Sequence, residues 1–240
     1  MSRPSRGLPV ETPAAPLSGY KLAQLLLAVD GSAVAFSGLS IGSRRMYKAV
    51  DEAVCVFSPK RHAPPDRRGD CGFYCVHTVE AARALAADTE YRGSVLLDVS
   101  ASGRFLRYED GLRYQHQRVR AVRAGLCDCG RRAEGFVDAG QGVVGWRRLL
   151  PVCAVCAGSK PQISPARIGA LLPGIPVGRD EGARPIDDLP LPPGAWEEPP
   201  DAKVALLSAE VSLLQARLDA VQSSLSDLDG PGTQRRTGTD

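Results

Sequence analysis

Apolar residues fall along this chain in two rhythms. Up to about residue 158 they come in short runs broken by Gly, Pro and charged residues, the texture of short strands and helices around one core. Tyr20 to Val29 is a compact apolar run closed by Asp30-Gly31, which predicts a short helix and a turn. Ala49 to Phe57 predicts a strand at its C-terminal end, where β-branched and aromatic residues gather before Pro59. Thr78 offers a hydroxyl to the free N–H groups of a helix over Val79 to Ala87, with Glu80 at its positive end. Gly93 to Ser100 and Arg104 to Tyr108 flank a small Gly-containing loop and predict a hairpin. Leu112 to Ala124 fits either a strand or a helix. The expected fold class is α+β: a small antiparallel sheet with one or two helices, a zinc-ribbon-like hairpin and a C-terminal coiled-coil helix.

The second rhythm lies in the last third. Val204, Leu207, Val211, Leu214, Leu218, Val221, Leu225 and Leu228 alternate spacings of three and four, a heptad pattern behind a capping Asp201. This predicts a homo-oligomer assembled through residues 202–229; an amphipathic helix docked on the chain's own domain is the alternative. Between the two patterns stand ten prolines from Pro161 to Pro200, read as a linker. The expected organisation is a disordered leader over 1–18, a Cys/His-rich α+β domain over 19–126, a zinc-ribbon-like unit over 127–158, a Pro-rich linker over 159–200, the coiled coil over 201–229 and a disordered tail over 230–240.

Charge changes this picture modestly. The net charge of +3 is unevenly spread, with 23 Lys/Arg against 15 Asp/Glu in residues 1–160 and 7 against 12 afterwards. The cations of the first part are almost all arginine, whose planar fork suits phosphates, carboxylates and aromatic faces, although a GC-rich genome would give the same bias. No apolar run is long enough for a membrane span and no secretory signal is visible, so a cytoplasmic protein without a membrane partner is expected. In that compartment seven cysteines are read as thiols or metal ligands rather than disulfides.

Four of them form the sharpest feature. Cys127-Asp-Cys129 and Cys153-Ala-Val-Cys156 are two close pairs, separated by enough chain for an out-and-back hairpin. Two such pairs on facing turns supply the four thiolates of a tetrahedral Zn2+ site, with Gly130 permitting a tight turn. The arrangement resembles a zinc ribbon, although its first pair is one residue tighter than the usual C-x₂₋₄-C knuckle. Four thiolates close the coordination sphere, so the expected role is structural. Four thiols without metal are the alternative reading.

A looser set, Cys55, His62, Cys71 and Cys75, is a candidate second zinc site, weighed against buried apolar cysteines and a solvated histidine. Around it stand Val54-Cys55, His62-Ala63-Pro64, Cys71-Gly72-Phe73-Tyr74, Ala81-Ala82, and Ser94 to Val99 leading to Gly103-Arg104. Here the chain resembles a family of uncharacterised Cys/His-rich proteins of actinobacteria and their phages, over roughly residues 45–125. The family pattern is a strand-closing Cys, a loop with His and Ala-Pro, C-x-C-G-[FI]-Y-A, a helix and V-L-x-x-V-x-x-x-G-R. Gly69 replaces its first loop Cys and Cys75 its Ala. The resemblance implies a folded Cys/His-rich domain and no particular activity.

Arg104, Arg107, Arg113, Arg118, Arg120 and Arg123 are interleaved with Phe105, Tyr108, Tyr114 and His116, and Arg131, Arg132, Arg147 and Arg148 add four on the ribbon. Guanidinium groups among stacking rings suit a nucleic-acid surface; a solvated sheet face with snorkelling side chains is the alternative. There is no P-loop, Rossmann fingerprint or recognition-helix motif. The expectation is therefore a non-enzymatic, zinc-stabilised, oligomeric binding or regulatory protein whose partner is a nucleic acid or an acidic protein surface. A protein–protein adaptor without nucleic-acid binding, or an enzyme of unrecognised type using the His62–Cys75 loop, are the alternatives.

Overall fold

The computed structural model describes residues 9–39, 45–55, 62–67, 69–88 and 91–184, with Leu218 and Gln222 beyond them. The chain separates into two compact units, residues 1–189 and 190–240; the first carries the fold described here. The coiled coil expected over 201–229 lies outside the described residues, apart from Leu218 and Gln222, which are helical.

The first unit is mostly antiparallel sheet with few helices. Its strands are β1 (Leu17–Ala28), β2 (Val34–Ser37), β3 (Met46–Tyr47), β4 (Val50–Glu52), β5 (Phe73–Val76), β6 (Val95–Arg107), β7 (Gly111–Ala124), β8 (Gly135–Val143), β9 (Trp146–Val152) and β10 (Val177–Arg179). The helices are α1 (Val79–Ala86), α2 (Ala154–Ala157) and α3 (Pro165–Ala170). The long strands β1, β6 and β7 organise the rest. The first half of β1 pairs with β6, and its second half with both β2 and β9. β7 pairs with β6 along nearly its whole length and receives β5, β4 and β10 in succession. Because β5 also meets β1 at Tyr20 and Val76, strands β1, β6, β7 and β5 close a ring of hydrogen-bonded neighbours. Closure leaves no free edge within the ring.

The main core fills this arrangement with Leu25, Leu27, Phe36, Leu97, Phe105, Leu112, Tyr114, Val119, Val122, Phe136, Leu149 and Ile168. An aromatic ladder, Phe36–Tyr47–Phe73–Tyr114, runs through it at centroid spacings of 6.0, 5.2 and 5.9 Å, distances at which rings attract beyond their area burial.

Several local expectations change. Tyr20 to Val29 belongs to a strand, not a helix: Leu25, Leu26 and Leu27 are all buried because both faces of β1 are covered, and such a run has no period that separates strand from helix. The hairpin expected around Ala101–Gly103 is instead one continuous strand, β6, with a bulge between Ser102 and Phe105. Gly103 sits there at φ 74°, and the actual turn lies at Tyr108–Gly111. The strand expected at the C-terminal end of Ala49–Phe57 lies earlier, at Val50–Glu52, with Val56 and Phe57 outside the described residues. Glu11 of the expected leader bridges Phe105, and β1 opens at Leu17; residues 1–8 lie outside the described set.

The largest difference concerns residues 159–200. Up to residue 184 they are part of the fold. Ile163 bridges Phe136, α3 buries Ile168, and β10 runs parallel to the end of β7. Prolines here do element work: Pro165 begins α3 behind the cap Ser164, where a missing N–H costs nothing. Asp180, buried, accepts from Arg83 Nε at 2.9 Å and Nη2 at 2.5 Å. Residues 185–200 lie outside the described set. The segment 127–158 is likewise no separate unit, since β9 pairs with β1 and carries the same sheet. Thr78 caps α1 as expected, its Oγ1 accepting from Ala81 N at 3.2 Å.

Candidate metal centres

The β8–β9 hairpin turns at Val144-Gly145, with Gly145 at φ 80°. Gly142 allows a close approach, since a Cβ there would lie 2.0 Å from the Trp146 carbonyl oxygen. At the open end, Gly135 pairs with Val152, so the chain enters β8 just after the first cysteine pair and leaves β9 directly into the second. The first knuckle is closed by Cys127 N donating to Arg131 O at 2.8 Å and Gly130 N to Cys127 O at 2.8 Å, with Gly130 at φ 84°. In the second, Cys153 caps α2, its Sγ accepting from Cys156 N at 3.4 Å.

The four sulfurs thereby converge within 4.8 Å of one another. Cys129 and Cys153 stand 3.7 Å apart, close to the edge of about 3.8 Å that a tetrahedron of sulfurs has when each lies about 2.3 Å from a central cation. Cys127 and Cys153 are buried while Cys129 and Cys156 are exposed, so the cluster sits at a rim. The sulfurs also shape each other's ionisation. The Cys156 N–H, with the neighbouring thiols against a burial cost, lowers the Cys153 thiol to about 7. Contacts with Cys129, then Cys153 and Cys127, push Cys156 up to about 12. A divalent cation at the centre would favour ionisation of all four thiols. These residues could hold a metal ion.

A second cluster forms where β4 runs out and β5 begins. Cys55, His62 and Cys71 have ligand atoms within 4.8 Å of one another, with His62 Nε2 3.2 Å from Cys71 Sγ. Burial, together with Cys55 nearby, raises the Cys71 thiol, against the Asp66 backbone and Arg113. Comparison with protein-family models, curated proteins and solved structures finds no match for this chain in any of the three. The two clusters therefore stand on their own geometry.

Cys75, grouped with the second cluster in the sequence, does not join it. On β5 the alternation of Phe73 in, Tyr74 out and Cys75 in points the thiol into the main core. There it lies against Gly19, where a Cβ would come within 2.3 Å of its sulfur. Burial raises this thiol to about 11, with Lys21 opposing. Lys21 is half-buried, its ammonium set against buried groups. Its Nζ donates to Gln117 Oε1 at 3.2 Å and stands 4.7 and 5.1 Å from the Tyr47 and Phe73 ring centroids. Burial brings it down to about 8.

The ten arginines do not form one surface. Arg113 is 2% exposed and pins the second cluster's loop: Nη2 donates to Asp66 O at 2.7 Å, and Nη1 donates to Gly69 O and, at 3.3 Å, to Tyr74 Oη. Sequence alone gives no hint of this, because those carbonyls lie more than forty residues away. Arg123 pairs with Asp98, and Arg147 stands 3.7 Å from Asp138. Arg104 donates to Ala63 O at 3.0 Å, and Arg132 lies 3.6 Å from Glu181. Arg131 and Arg148 lie on the knuckle and on β9. Arg107, Arg118 and Arg120 are exposed, with no ion pair among the described residues for the last two.

Proposed function

We propose that the protein is a non-enzymatic, zinc-stabilised binding protein, in which Cys127, Cys129, Cys153 and Cys156 hold one Zn2+ in a closed structural centre and exposed arginines of the sheet receive an anionic partner, nucleic acid foremost. The observation that carries this reading is the convergence of two backbone-built knuckles on four sulfurs within 4.8 Å of one another, two of them 3.7 Å apart. Four thiolates suit zinc and leave no position for a reacting water. Iron in the same thiolate set would give a coloured protein, so a colourless preparation with one equivalent of zinc at this site separates the two.

The partner reading draws on Arg107, Arg118 and Arg120, which stand out of β6 and β7 into solvent. Phosphate contacts would make binding fall steeply with salt, at a log–log slope of about −0.9 per phosphate neutralised on duplex DNA. Oligomerisation through residues 202–229 would add several such weak sites on one particle. Anisotropy of labelled DNA and RNA, titrated from low to physiological salt, tests this. A decline with salt, weakened further in Arg118→Glu/Arg120→Glu, is expected. No binding at low salt sinks the nucleic-acid reading and favours an adaptor for an acidic protein surface.

A further inference from the structure

The Cys55–His62–Cys71 cluster differs from the four-cysteine one in a way that bears on chemistry. Three ligand side chains converge, and the chain has no fourth soft ligand to give. Of its seven cysteines, four belong to the other cluster and Cys75 is committed to the main core. His77 Nε2 lies 3.2 Å from Tyr108 O, and His116 packs on Gly103. Residues 56–61 and 68 contain no Cys, His, Asp or Glu. Among the described residues no carboxylate joins the three. Cys55 is buried, whereas His62 and Cys71 are half-buried, so one side of the cluster reaches solvent.

We propose that Cys55, His62 and Cys71 hold a second zinc ion whose fourth position stays open and takes an exchangeable ligand, water or a small anion. Two thiolates neutralise a divalent cation, so this centre carries no net charge, while the four-thiolate centre carries two negative charges. The neutral centre sits on a loop pinned by the buried Arg113 guanidinium. Asp70, exposed and 3.8 Å from Arg113, is the countercharge on the same loop. A shallow groove lined by Val10, Asp66, Arg67 and Arg104 runs beside it. A neutral metal next to a fixed cation favours an anion as fourth ligand. Three protein ligands with one open position is also the coordination that lets zinc polarise a bound molecule. The site therefore deepens the function proposed above: a closed centre for structure and an open one for ligand capture.

The test is cobalt substitution of the full-length chain. Wild type should take two Co2+ per chain, and azide should shift the visible bands of one and leave the tetrathiolate bands of the other unmoved. His62→Ala and Cys71→Ser should each retain one Co2+ with an azide-insensitive tetrathiolate spectrum, which also certifies that the variant is folded. Cys75→Ala should keep both ions and the azide response. One Co2+ per chain in wild type with tetrathiolate bands only, two with no azide response, or loss of the second ion in Cys75→Ala overturns the open site. Missing tetrathiolate bands with an intact azide response would instead fault the closed centre alone.

Discussion

Removing the metal proposed for the four-cysteine centre should unfold the two knuckles and leave the long-strand core standing. The main core and the knuckle core are separate clusters of buried side chains, and the latter has only Val137, Val152 and Ala157 besides Cys127 and Cys153, with Leu150 at its margin. Burying two valines and an alanine contributes about 4–6 kcal/mol. Fixing the roughly fifteen residues of the two knuckles costs about 1 kcal/mol each at the low end. The deficit of about 10 kcal/mol matches the roughly 10–16 kcal/mol a structural zinc contributes to a small site. The assay is amide hydrogen exchange read by mass spectrometry, with zinc-loaded protein compared against protein stripped by a chelator. The N–H groups of Cys127, Gly130 and Ala157, bonded to Arg131, Cys127 and Cys153 carbonyls, should lose protection by several orders of magnitude. Those of β6 and β7 at core positions such as Leu97 and Val122 should keep theirs. Unchanged exchange at the three knuckle amides, after metal loss is verified, refutes the reasoning.

Asp180→Asn should cost about 2–3 kcal/mol at neutral pH, below the 3–5 kcal/mol of a fully buried pair because Arg83 is partly exposed. Burial would raise the Asp180 carboxyl, but the bonds and charge of Arg83, Gly182 N–H and Arg123 together hold it below the ordinary range. Its contribution is thus present above about pH 4 and lost as pH falls further, so urea midpoints of wild type and variant should converge in acid. Lys21→Met should stabilise by about 1–2 kcal/mol at pH 7, since a depressed lysine is charged in both states below about 8 and there carries its full burial cost. That advantage should shrink as pH rises from about 8 toward 10, and a constant or growing gap in denaturant midpoints would refute it. Gly111→Ala should cost upward of about 2 kcal/mol, because its Cβ would lie 2.1 Å from the Cys75 carbonyl oxygen across the β5–β7 pairing. Gly125→Ala meets nothing within 4 Å and should fall within about 1 kcal/mol of wild type by thermal melting.

What was legible in the sequence followed the range of the interaction that creates each feature. Cys127, Cys129, Cys153 and Cys156 are readable because knuckle spacing is local and one hairpin joins the pairs. Cys55, His62 and Cys71 are readable by ligand type alone. Cys75 is misplaced when ligand chemistry is weighed before period: Phe73 and Cys75 alternate with Tyr74, and on a strand that alternation sends the thiol to the core. Leu25 to Leu27 hide their strand because a segment covered on both faces has no polar face to betray its period. The stretch from Gln162 to Arg184 hides as linker because its place depends on distant partners: Phe136 for Ile163, Val122 for Val177 and Arg83 for Asp180.

The arginines show the same division most clearly. Arg113 and Arg118 lie on one strand, within one basic stretch, yet one is buried under a loop and the other stands in solvent. The register of β7 against β5 and β6 separates them, and the irregularity between Asp98 and Val99 leaves Arg120 without a partner across the ladder. Composition can therefore supply a surplus of guanidinium groups, but the pairing register decides which ones hold the Cys55–His62–Cys71 loop in shape and which stand in solvent. Arg113→Lys separates these roles: lysine keeps the charge but lacks the fork that reaches both Asp66 O and Gly69 O. It should loosen the Cys55–His62–Cys71 site, seen as weaker uptake of the second Co2+, while leaving any salt-dependent nucleic-acid binding unchanged.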